Sequence, residues 1–458
     1  MWFRQDLRLS DHASLSAATA TGPVIPVFIL DDMTPGTWAW GGASRWWLHH
    51  SLAALNETLP LVLRRGRADD VLDQLASETG ASAIYFTRDY APWSATLERR
   101  VKDLCDRRGM GCHRHGGFLL HEPEHIKNGS GSYFKVYTPF SRACMTAGVK
   151  PALRPAPAIT RWEGQVTSDR LADWKLLPSR PNWASAFESR WAPGETGAQA
   201  RLYEFLDEGL AGYADGRDSP SLPHFSRLSP HLHWGEISPL QVWQVTSQHM
   251  AQSDGRLDRD GGKFLKEVLW REFSNHLLFH APTLPQVPFR PEFADFPWRE
   301  DQALLEQWQK GQTGYPIVDA GMRELWATGF MHNRVRMIVA SFLIKHLLQP
   351  WQTGEAWFWD TLVDADIANN AASWQWVAGC GADAAPYFRV FNPVLQGEKF
   401  DAGGTYVRHW VPELAEVENE YVHRPWTAPS PPRNYPPPIV DHGTARERAL
   451  GAFAALKS

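Results

Sequence analysis

Cysteine is scarce in this chain, with only four residues among 458 and no Cys-x-x-Cys pair. The four are Cys105, Cys112, Cys144 and Cys380. Structural zinc sites and iron–sulfur clusters need thiolate ligands that are grouped more closely along the chain. We therefore expect free thiols and no metal site.

Long apolar runs and a general excess of basic residues are also missing. No stretch approaches the roughly 18 apolar residues that a membrane helix needs. The N-terminus lacks the basic flank and apolar run of a signal peptide. A net charge of −5 excludes a basic coat around nucleic acid, although a local basic patch stays possible. We expect a cytoplasmic protein without a membrane partner.

Tryptophan, in contrast, is abundant, with 23 residues in a chain that is 43% hydrophobic and 21% charged. This composition is typical of a globular protein, and the length allows two or three domains. Tryptophan serves core packing, aromatic stacking and, less often, electron transfer.

Strand-like and helix-like segments alternate over the first 125 residues. The predicted strands are 24–30, 61–64 and 83–86, and the predicted helices are 46–59, 69–77 and 97–105. Such alternation predicts a parallel sheet with helices on its faces. Residues 1–125 are therefore expected to form a Rossmann-like α/β domain.

Residues 126–197 contain many prolines and little periodicity, which is typical of a connector. From residue 198 to 458 helical spacing dominates and β-branched runs are nearly absent. The helical segments are 200–209, 239–250, 262–279, 301–311, 319–348, 355–363 and a last one after 444. We predict an all-α domain over 198–458.

One nucleotide-binding pattern is present, Gly-x-Gly-x-x-Ala at residues 379–384, with Glu398 further on. A dinucleotide fold needs a strand before this pattern and a helix after it. Here a helical run precedes the pattern and Pro386 follows it, so a dehydrogenase built on this segment is a distant alternative.

Polar and aromatic residues share one face of a predicted helix at Glu267, Trp270, Arg271 and Ser274. An aliphatic stripe would indicate a core helix, and a solvated face seldom carries tryptophan. This stripe therefore indicates a binding surface.

Two further helical segments carry similar patterns. Asn333 and Met337 are one turn apart and are flanked by Arg334 and Arg336, a local basic excess that suits a phosphate backbone. In the second segment Asp366 and Asn370 align on one turn, after Asp364 and Ala365 and before Trp374 and Trp376.

At these residues the chain resembles the photolyase/cryptochrome family, and most of all its bacterial enzymes for cyclobutane pyrimidine dimers. The resemblance covers nearly the whole chain. The blocks that carry it are Trp2–Leu9, Val136–Phe140, Ser226–Pro230, Leu269–Phe273, Gly314–Asp319, Met331–Arg336, Asp364–Trp376 and Asp383–Pro393.

The resemblance implies an α/β antenna domain followed by a helical domain that binds FAD. Tyr213 and the loop 225–229 would hold the flavin phosphates, Arg336 would pair with Asp364, and Asn370 would face the reactive flavin nitrogen. The implied cofactor-binding residues are Tyr213, Phe225, Ser226, Arg227, Leu228, Ser229, Phe264, Glu267, Arg271, Arg336, Asp364, Ala365, Asp366 and Asn370. Phe225 replaces a threonine usual in the family, and Phe264 replaces a tryptophan of some relatives.

The resemblance also implies the substrate. Enzymes for (6-4) photoproducts carry two histidines where Asn333 and Met337 stand, so dimer repair in single- or double-stranded DNA is expected. Glu267 would hydrogen-bond the flipped-out dimer, and Trp270 and Trp376 would pack against it. The implied DNA-binding residues are Arg217, Glu267, Trp270, Arg271, Ser274, Asn333, Arg334, Trp376 and Arg389.

Three tryptophans, Trp298, Trp351 and Trp374, match the family's electron-transfer chain. A second chromophore, methenyltetrahydrofolate or 8-hydroxy-5-deazaflavin, is possible. Relatives that bind folate have an Asn-Glu pair where Trp93 and Ser94 stand.

A cryptochrome photoreceptor is the second interpretation, because it shares this fold and flavin without repairing DNA. The chain keeps the repair pocket and has no long C-terminal tail, which favours the enzyme. The iron–sulfur branch of the family needs four clustered cysteines in the C-terminal half, where only Cys380 lies. We expect a monomer.

Overall fold

The computed structural model describes residues 1–149, 152–384 and 388–456. Its contacts divide the chain into two compact units. The first unit comprises Met1–Asp207 and Ser226–Pro282, and the second comprises Glu208–Phe225 and Thr283–Ser458. The domain boundaries near residues 125 and 198 stay a prediction.

The first unit contains a five-stranded parallel sheet, as the alternating pattern predicts. Its strands are β1 (Trp2–Phe3), β2 (Val27–Leu30), β3 (Val62–Arg65), β4 (Ala83–Thr87) and β5 (Gly111–His115). The spatial order is β3-β2-β1-β4-β5, which is a doubly wound α/β arrangement.

Eighteen α-helices lie in the part of the chain that the structure describes. They are α1 (Ala13–Thr21), α2 (Gly42–Thr58), α3 (Ala68–Thr79), α4 (Ser94–Arg108), α5 (Tyr137–Ala147), α6 (Glu195–Glu204), α7 (Tyr213–Gly216), α8 (Ser229–His233), α9 (Pro239–Ala251), α10 (Asp258–His280), α11 (Gln302–Gln309), α12 (Pro316–Thr328), α13 (Asn333–Ser341), α14 (Trp351–Thr361), α15 (Ile367–Ala378), α16 (Pro393–Phe400), α17 (Thr405–Trp410) and α18 (His442–Ala455). None of the described helices is long and apolar enough to cross a membrane.

The sheet is covered by helices whose apolar positions recur at helical spacing. In α3, Val71, Leu72 and Leu75 enter the core that also contains Val27 and Ile84 of the sheet. Gly80 ends α3 with a φ of 65°, a left-handed conformation that favours glycine. The sequence pattern therefore determines which face of the helix is buried.

The longest described helix, α10, has 23 residues and carries the polar and aromatic stripe predicted from the sequence. It packs against α5 and α9 in the first unit. Helix α9 begins with a capping box, in which Ser238 and Gln241 each bond the backbone N–H of the other.

The helical run predicted over 319–348 is wrong in one respect, because the structure breaks it. Helix α12 ends before Gly329, whose φ is 68°, and α13 begins after His332. The His332 ring accepts a hydrogen bond from the backbone N–H of Arg334 at 3.2 Å, so a histidine caps α13. A π-helical turn, Phe342–His346, follows α13.

The block 314–319 anchors the proline-rich tail of the second unit. Gly314 has a φ of 77°, and a Cβ at this position would lie 2.3 Å from the carbonyl oxygen of Pro437. The buried carboxylate of Asp319 accepts hydrogen bonds from the backbone N–H of Gly314 and from the Tyr435 hydroxyl. Close packing at Gly314 explains why this position requires glycine.

Candidate functional site

The four residues of the predicted polar and aromatic stripe on helix α10 differ in burial. Glu267 and Trp270 are half-buried, and Glu267 pairs with Lys263 one turn away at 3.2 Å. Arg271 and Ser274 are buried, at 9% and 7% exposure. Glu267 and Trp270 therefore expose more of their surface than Arg271 and Ser274 do.

Trp270 is held by a second aromatic ring. The indole stacks on Tyr137 of α5 with ring centroids 3.6 Å apart and an interplanar angle of 6°. The Tyr137 hydroxyl donates to the carbonyl oxygen of Lys266 at 2.6 Å. Tyr137 belongs to the predicted family block 136–140, but no sequence pattern indicated this stacking.

The guanidinium of Arg271 serves the interior of the first unit. It donates to the carbonyl oxygen of Phe118 at 2.9 Å and lies 4.3 Å above the Phe118 ring. The adjacent Glu272 accepts from the backbone N–H of Leu120, and burial raises the pKa of this carboxyl to about 7. These contacts hold the Arg271 guanidinium in place, although its Nη2 atom has no hydrogen-bond partner among the described residues.

Residues 226–229 of the loop predicted to bind phosphates belong to the first unit and lead into α8. Arg227 has a φ of 53°, a left-handed conformation that is strained for a residue with a side chain. Ser226 Oγ accepts from the backbone N–H of Leu228 at 3.4 Å, and Ser229 begins α8. Phe264 is buried against Phe205, with centroids 4.7 Å apart.

Tyr213 and Phe225 of the same prediction lie in the second unit. Tyr213 is buried at the start of α7, and Arg217 lies 5.5 Å above its ring. Phe225 packs edge-on against His332, with centroids 5.3 Å apart, and lies 6.5 Å from Phe330. Phe225, which stands where the family usually has threonine, therefore packs in a cluster of aromatic side chains.

The predicted pair of Arg336 and Asp364 is present in the second unit. Their side chains are joined at 2.9 Å, and the Arg336 Nε–H donates to the carbonyl oxygen of Met331 at 2.6 Å. The side chain of Asp364 is 3% exposed, and the following Ala365 is also buried. A carboxylate buried at this level needs the charge of a partner.

Helix α15 starts at the acidic segment, with Asp366 as its N-cap. Asp366 accepts from the backbone N–H of Asn369 at 2.7 Å. One turn later the buried side-chain amide of Asn370 donates to the carbonyl oxygen of Glu355 at 3.0 Å. The sequence predicted the Asp366–Asn370 spacing but not the contact with α14.

Glu355 itself is an unusual residue in α14, because its side chain is 1% exposed. Among the described residues, its Oε1 atom has no hydrogen-bond partner. Burial raises the pKa of this carboxyl well above its ordinary value. A polar ligand that reaches this carboxyl would supply the hydrogen bond that its Oε1 atom lacks among the described residues.

Basic residues of the second unit line a cavity of about 470 Å³. Arg334 pairs with Asp218 at 2.8 Å and contacts the sulfur of Met337 at 3.7 Å. The lining residues are Asp215, Asp218, Ser219, Arg334, Arg389, Gln396, Lys399 and Phe400. Arg334 and Arg389, which are distant in sequence, therefore share one cavity.

Three predicted residues complete this region of the second unit. Asn333 is exposed at the first position of α13, while Met337 is half-buried one turn later. Arg389 is exposed, and its carbonyl oxygen accepts from the buried ammonium of Lys345 at 2.5 Å. Burial lowers the pKa of Lys345 to about 7. The sequence counts Lys345 in the local basic excess that suits a phosphate backbone, whereas the structure buries this residue.

Two of the three tryptophans predicted to carry electrons lie in the interior. Trp351 and Trp374 are 1% and 2% exposed, whereas Trp298 is half-buried. Trp374 lies 4.9 Å from the ring of Phe358 and 6.4 Å from that of Trp308. Its indole N–H has no hydrogen-bond partner among the described residues. Tight packing therefore fixes Trp374 without polar contacts.

The segment with the nucleotide-binding pattern follows a helix, as expected. Gly379 ends α15 with a φ of 88°. Trp376, half-buried near this end, donates its indole N–H to the carbonyl oxygen of Asp383 at 3.1 Å. Pro386, with the middle of the family block 383–393, lies outside the described residues.

Two family models match the chain, and together they cover most of it. The model described as DNA photolyase matches residues 1–158. The model described as the FAD binding domain of DNA photolyase matches residues 264–455. These matches lie in the α/β and helical parts of the sequence.

Similar proteins extend over the whole chain. A deoxyribodipyrimidine photo-lyase of Agrobacterium fabrum is 50% identical, over 100% of this chain and 98% of that protein. Cryptochrome-2 of Arabidopsis thaliana is 36% identical, over 100% of this chain and 79% of that protein. The crystal structure of a bacterial class III photolyase from Agrobacterium tumefaciens matches with a TM-score of 0.95 and 50% identity, covering 100% of this chain and 97% of that one.

Proposed function

The chain belongs to the DNA photolyase family, and on this premise we propose that it splits cyclobutane pyrimidine dimers in DNA under light. The observation that carries the proposal is 50% identity to a deoxyribodipyrimidine photo-lyase over the full length of the chain. The asparagine and methionine at 333 and 337, in place of two histidines, favour cyclobutane dimers over (6-4) photoproducts.

FAD is the cofactor in this proposal. When bound in its reduced form, this cofactor would supply light-driven electron donation to the cyclobutane ring and would recover the electron after the ring opens. In the second unit, Arg336 and Asp364 form a fixed ion pair, and the Asn370 amide is oriented by its bond to the backbone of Glu355. Tyr213, Phe225, Ala365 and Asp366 are the other cofactor residues proposed there.

In the first unit, Ser226, Arg227, Leu228 and Ser229 are the proposed phosphate-binding residues. The left-handed conformation of Arg227 turns this short segment sharply. Phe264, Glu267 and Arg271 complete the proposed cofactor contacts of this unit.

The residues that recognise the dimer do not perform acid–base chemistry. Glu267 accepts hydrogen bonds from the base edges, and Trp270 and Trp376 provide apolar surfaces that replace the lost base stacking. Asn333 and Met337 complete the proposed set of lesion contacts. A cyclobutane dimer has to leave the duplex for these contacts, and its weakened stacking lowers the cost.

Phosphate contacts are proposed for three arginines of the second unit. Arg217, Arg334 and Arg389 are proposed for this role, and the last two line the same cavity. The burial of Arg271 and Ser274 favours structural roles over DNA contact. The partner is single- or double-stranded DNA with a pyrimidine dimer, bound by a monomer in the bacterial cytoplasm at the nucleoid.

Trp374, Trp351 and Trp298 are proposed to carry electrons that reduce oxidised flavin. Trp374 and Trp351 are buried and Trp298 is half-buried, so a chain of these indoles that ends at Trp298 would reach solvent. A second, antenna chromophore, methenyltetrahydrofolate or 8-hydroxy-5-deazaflavin, is proposed for the α/β domain.

The spectrum of the purified protein and a repair assay test the proposal together. We expect flavin absorption, and loss of cyclobutane dimers from an oligonucleotide only under blue or near-ultraviolet light with reduced flavin. A second near-ultraviolet chromophore would identify the antenna. Flavin without any repair would favour a cryptochrome-type photoreceptor, and the absence of flavin would refute the proposal.

A further inference from the structure

Trp270 has one face covered by a ring that is itself held in place. The Tyr137 and Trp270 rings are nearly parallel, with centroids 3.6 Å apart. Phe273 meets both rings edge-on, at 5.9 Å from each centroid. Because Trp270 is half-buried with one face against Tyr137, its accessible surface lies on the opposite face and the rim.

Tyr137 is fixed more firmly than the indole it supports. Its side chain is 8% exposed, at the first residue of α5. Its hydroxyl bonds the carbonyl oxygen of Lys266 on α10, the helix that carries Trp270. Tyr137 is thus fastened to α10 by a hydrogen bond and by ring stacking.

We propose that Tyr137 is a positioning residue that sets the plane of Trp270 before the lesion binds. The inference deepens the proposed function, in which Trp270 packs against the pyrimidine dimer. A partly exposed tryptophan samples several rotamers, and a ligand that needs one of them bears the cost of ordering the side chain. Stacking on a fixed tyrosine holds the ring in one rotamer in advance.

This role predicts a selective defect. Undamaged DNA is bound mainly through phosphates, which do not require the indole plane. Loss of the Tyr137 ring should therefore weaken binding to dimer-containing DNA by about 3- to 10-fold. Binding to undamaged DNA should not change.

The test uses the flavin-loaded full chain in the dark, with one oligonucleotide carrying a thymine dimer and the same oligonucleotide without it. Tyr137→Met fills the space with a flexible apolar chain, and Tyr137→Leu is the second variant if the first does not fold. Tyr137→Phe keeps the stacked ring and should retain most of the dimer affinity of the native chain. Phe140→Leu, on the same helix and also packed on Phe273, is the matched control and should keep the selectivity for the dimer.

A double variant shows whether Tyr137 acts through Trp270. Tyr137→Met should weaken dimer binding in the native chain, but should add nothing in a chain that already carries Trp270→Ala. An additive loss, or an equal loss for damaged and undamaged DNA, would overturn the positioning role. Normal dimer affinity in Tyr137→Met alongside a defect in Trp270→Ala would overturn this inference alone. Normal affinity in Trp270→Ala would overturn both the inference and the proposed lesion contact.

Discussion

The side-chain amide of Asn370 donates a hydrogen bond to the backbone carbonyl of Glu355, so this bond joins the two helices α14 and α15. The bond uses the nitrogen of the amide and thereby orients the side chain. Glu355 is buried next to this bond, with a pKa raised well above its ordinary value by burial. Asn370 therefore has a structural function in addition to its proposed function towards the cofactor.

Replacement of Asn370 by alanine should lower the stability of the second unit. The carbonyl oxygen of Glu355 would lose its donor in the interior, which costs about 1–3 kcal/mol. Thermal unfolding and the flavin content of the purified variant measure the effect. Ser373→Ala, on the exposed side of the same helix, is the control and should change stability by less than about 0.5 kcal/mol. Native stability in Asn370→Ala would show that the bond contributes nothing.

Light-dependent repair should require Glu267, Trp270 and Trp376. Glu267→Ala would leave a polar group of the flipped-out dimer unpaired, which weakens binding by about 1–3 kcal/mol. Binding and repair yield for a dimer-containing oligonucleotide measure this loss. Asp258→Ala removes an exposed acid from the first turn of α10 and should keep both values. Full affinity and yield in all three site variants would refute the assignment.

The fold was readable from the sequence where a pattern repeats locally. Alternation of segments predicted the parallel sheet and three of its strands. Strand β1 was missed because it has only two residues, and β5 was missed because its residues Gly111–His115 are mostly polar. Periodicity did not reveal the break at Gly329, because apolar spacing continues on both sides of it. Asn370–Glu355 and Tyr137–Trp270 escaped prediction for another reason. Each contact joins two helices, and no local spacing encodes it.

DNA affinity should depend steeply on salt, because the proposed contacts are to phosphates. Replacement of Arg334 or Arg389 by glutamine should reduce the slope of log affinity against log salt by about 0.9 per lost contact on duplex DNA. Titrations at several salt concentrations measure the slope. Arg107→Gln, an exposed cation at the end of α4, should leave it unchanged. A native affinity that does not vary with salt would contradict the phosphate contacts.

Acid should destabilise the start of α13 through His332. Burial lowers the pKa of His332 to about 4, so the folded chain binds fewer protons there than the unfolded chain between about pH 6.5 and 4. Its contribution to stability is complete above pH 6.5 and is lost as the pH falls through this window, by at most about 1.4 kcal/mol per pH unit.

His332→Asn keeps a capping side chain but cannot gain the proton. Urea unfolding at pH 7, 6 and 5 should show a smaller loss of stability on acidification in this variant than in the native chain. Other buried histidines, among them His276 with a pKa of about 4, remain in both proteins and set the common background. Identical pH dependence in the two proteins would exclude His332 as a contributor.

Electron supply to the flavin should be separable from repair at Trp374. Phenylalanine preserves most of the ring packing against Phe358, and the indole N–H that it removes has no hydrogen-bond partner among the described residues. Folding and flavin content should therefore survive Trp374→Phe. Photoreduction of oxidised FAD should be lost, because an electron from the surface has to pass this position.

Repair by chemically reduced flavin should persist in Trp374→Phe, because that electron passes directly between flavin and dimer. The test illuminates the oxidised variant with a reductant while the flavin spectrum is recorded, and then assays repair after chemical reduction. Trp46→Phe, a buried tryptophan of the first unit, is the control and should keep both activities. Normal photoreduction in Trp374→Phe would mean that Trp374 only fills the core or that another path dominates. Loss of both activities would indicate a packing role at the flavin, so only photoreduction lost with repair retained supports the relay.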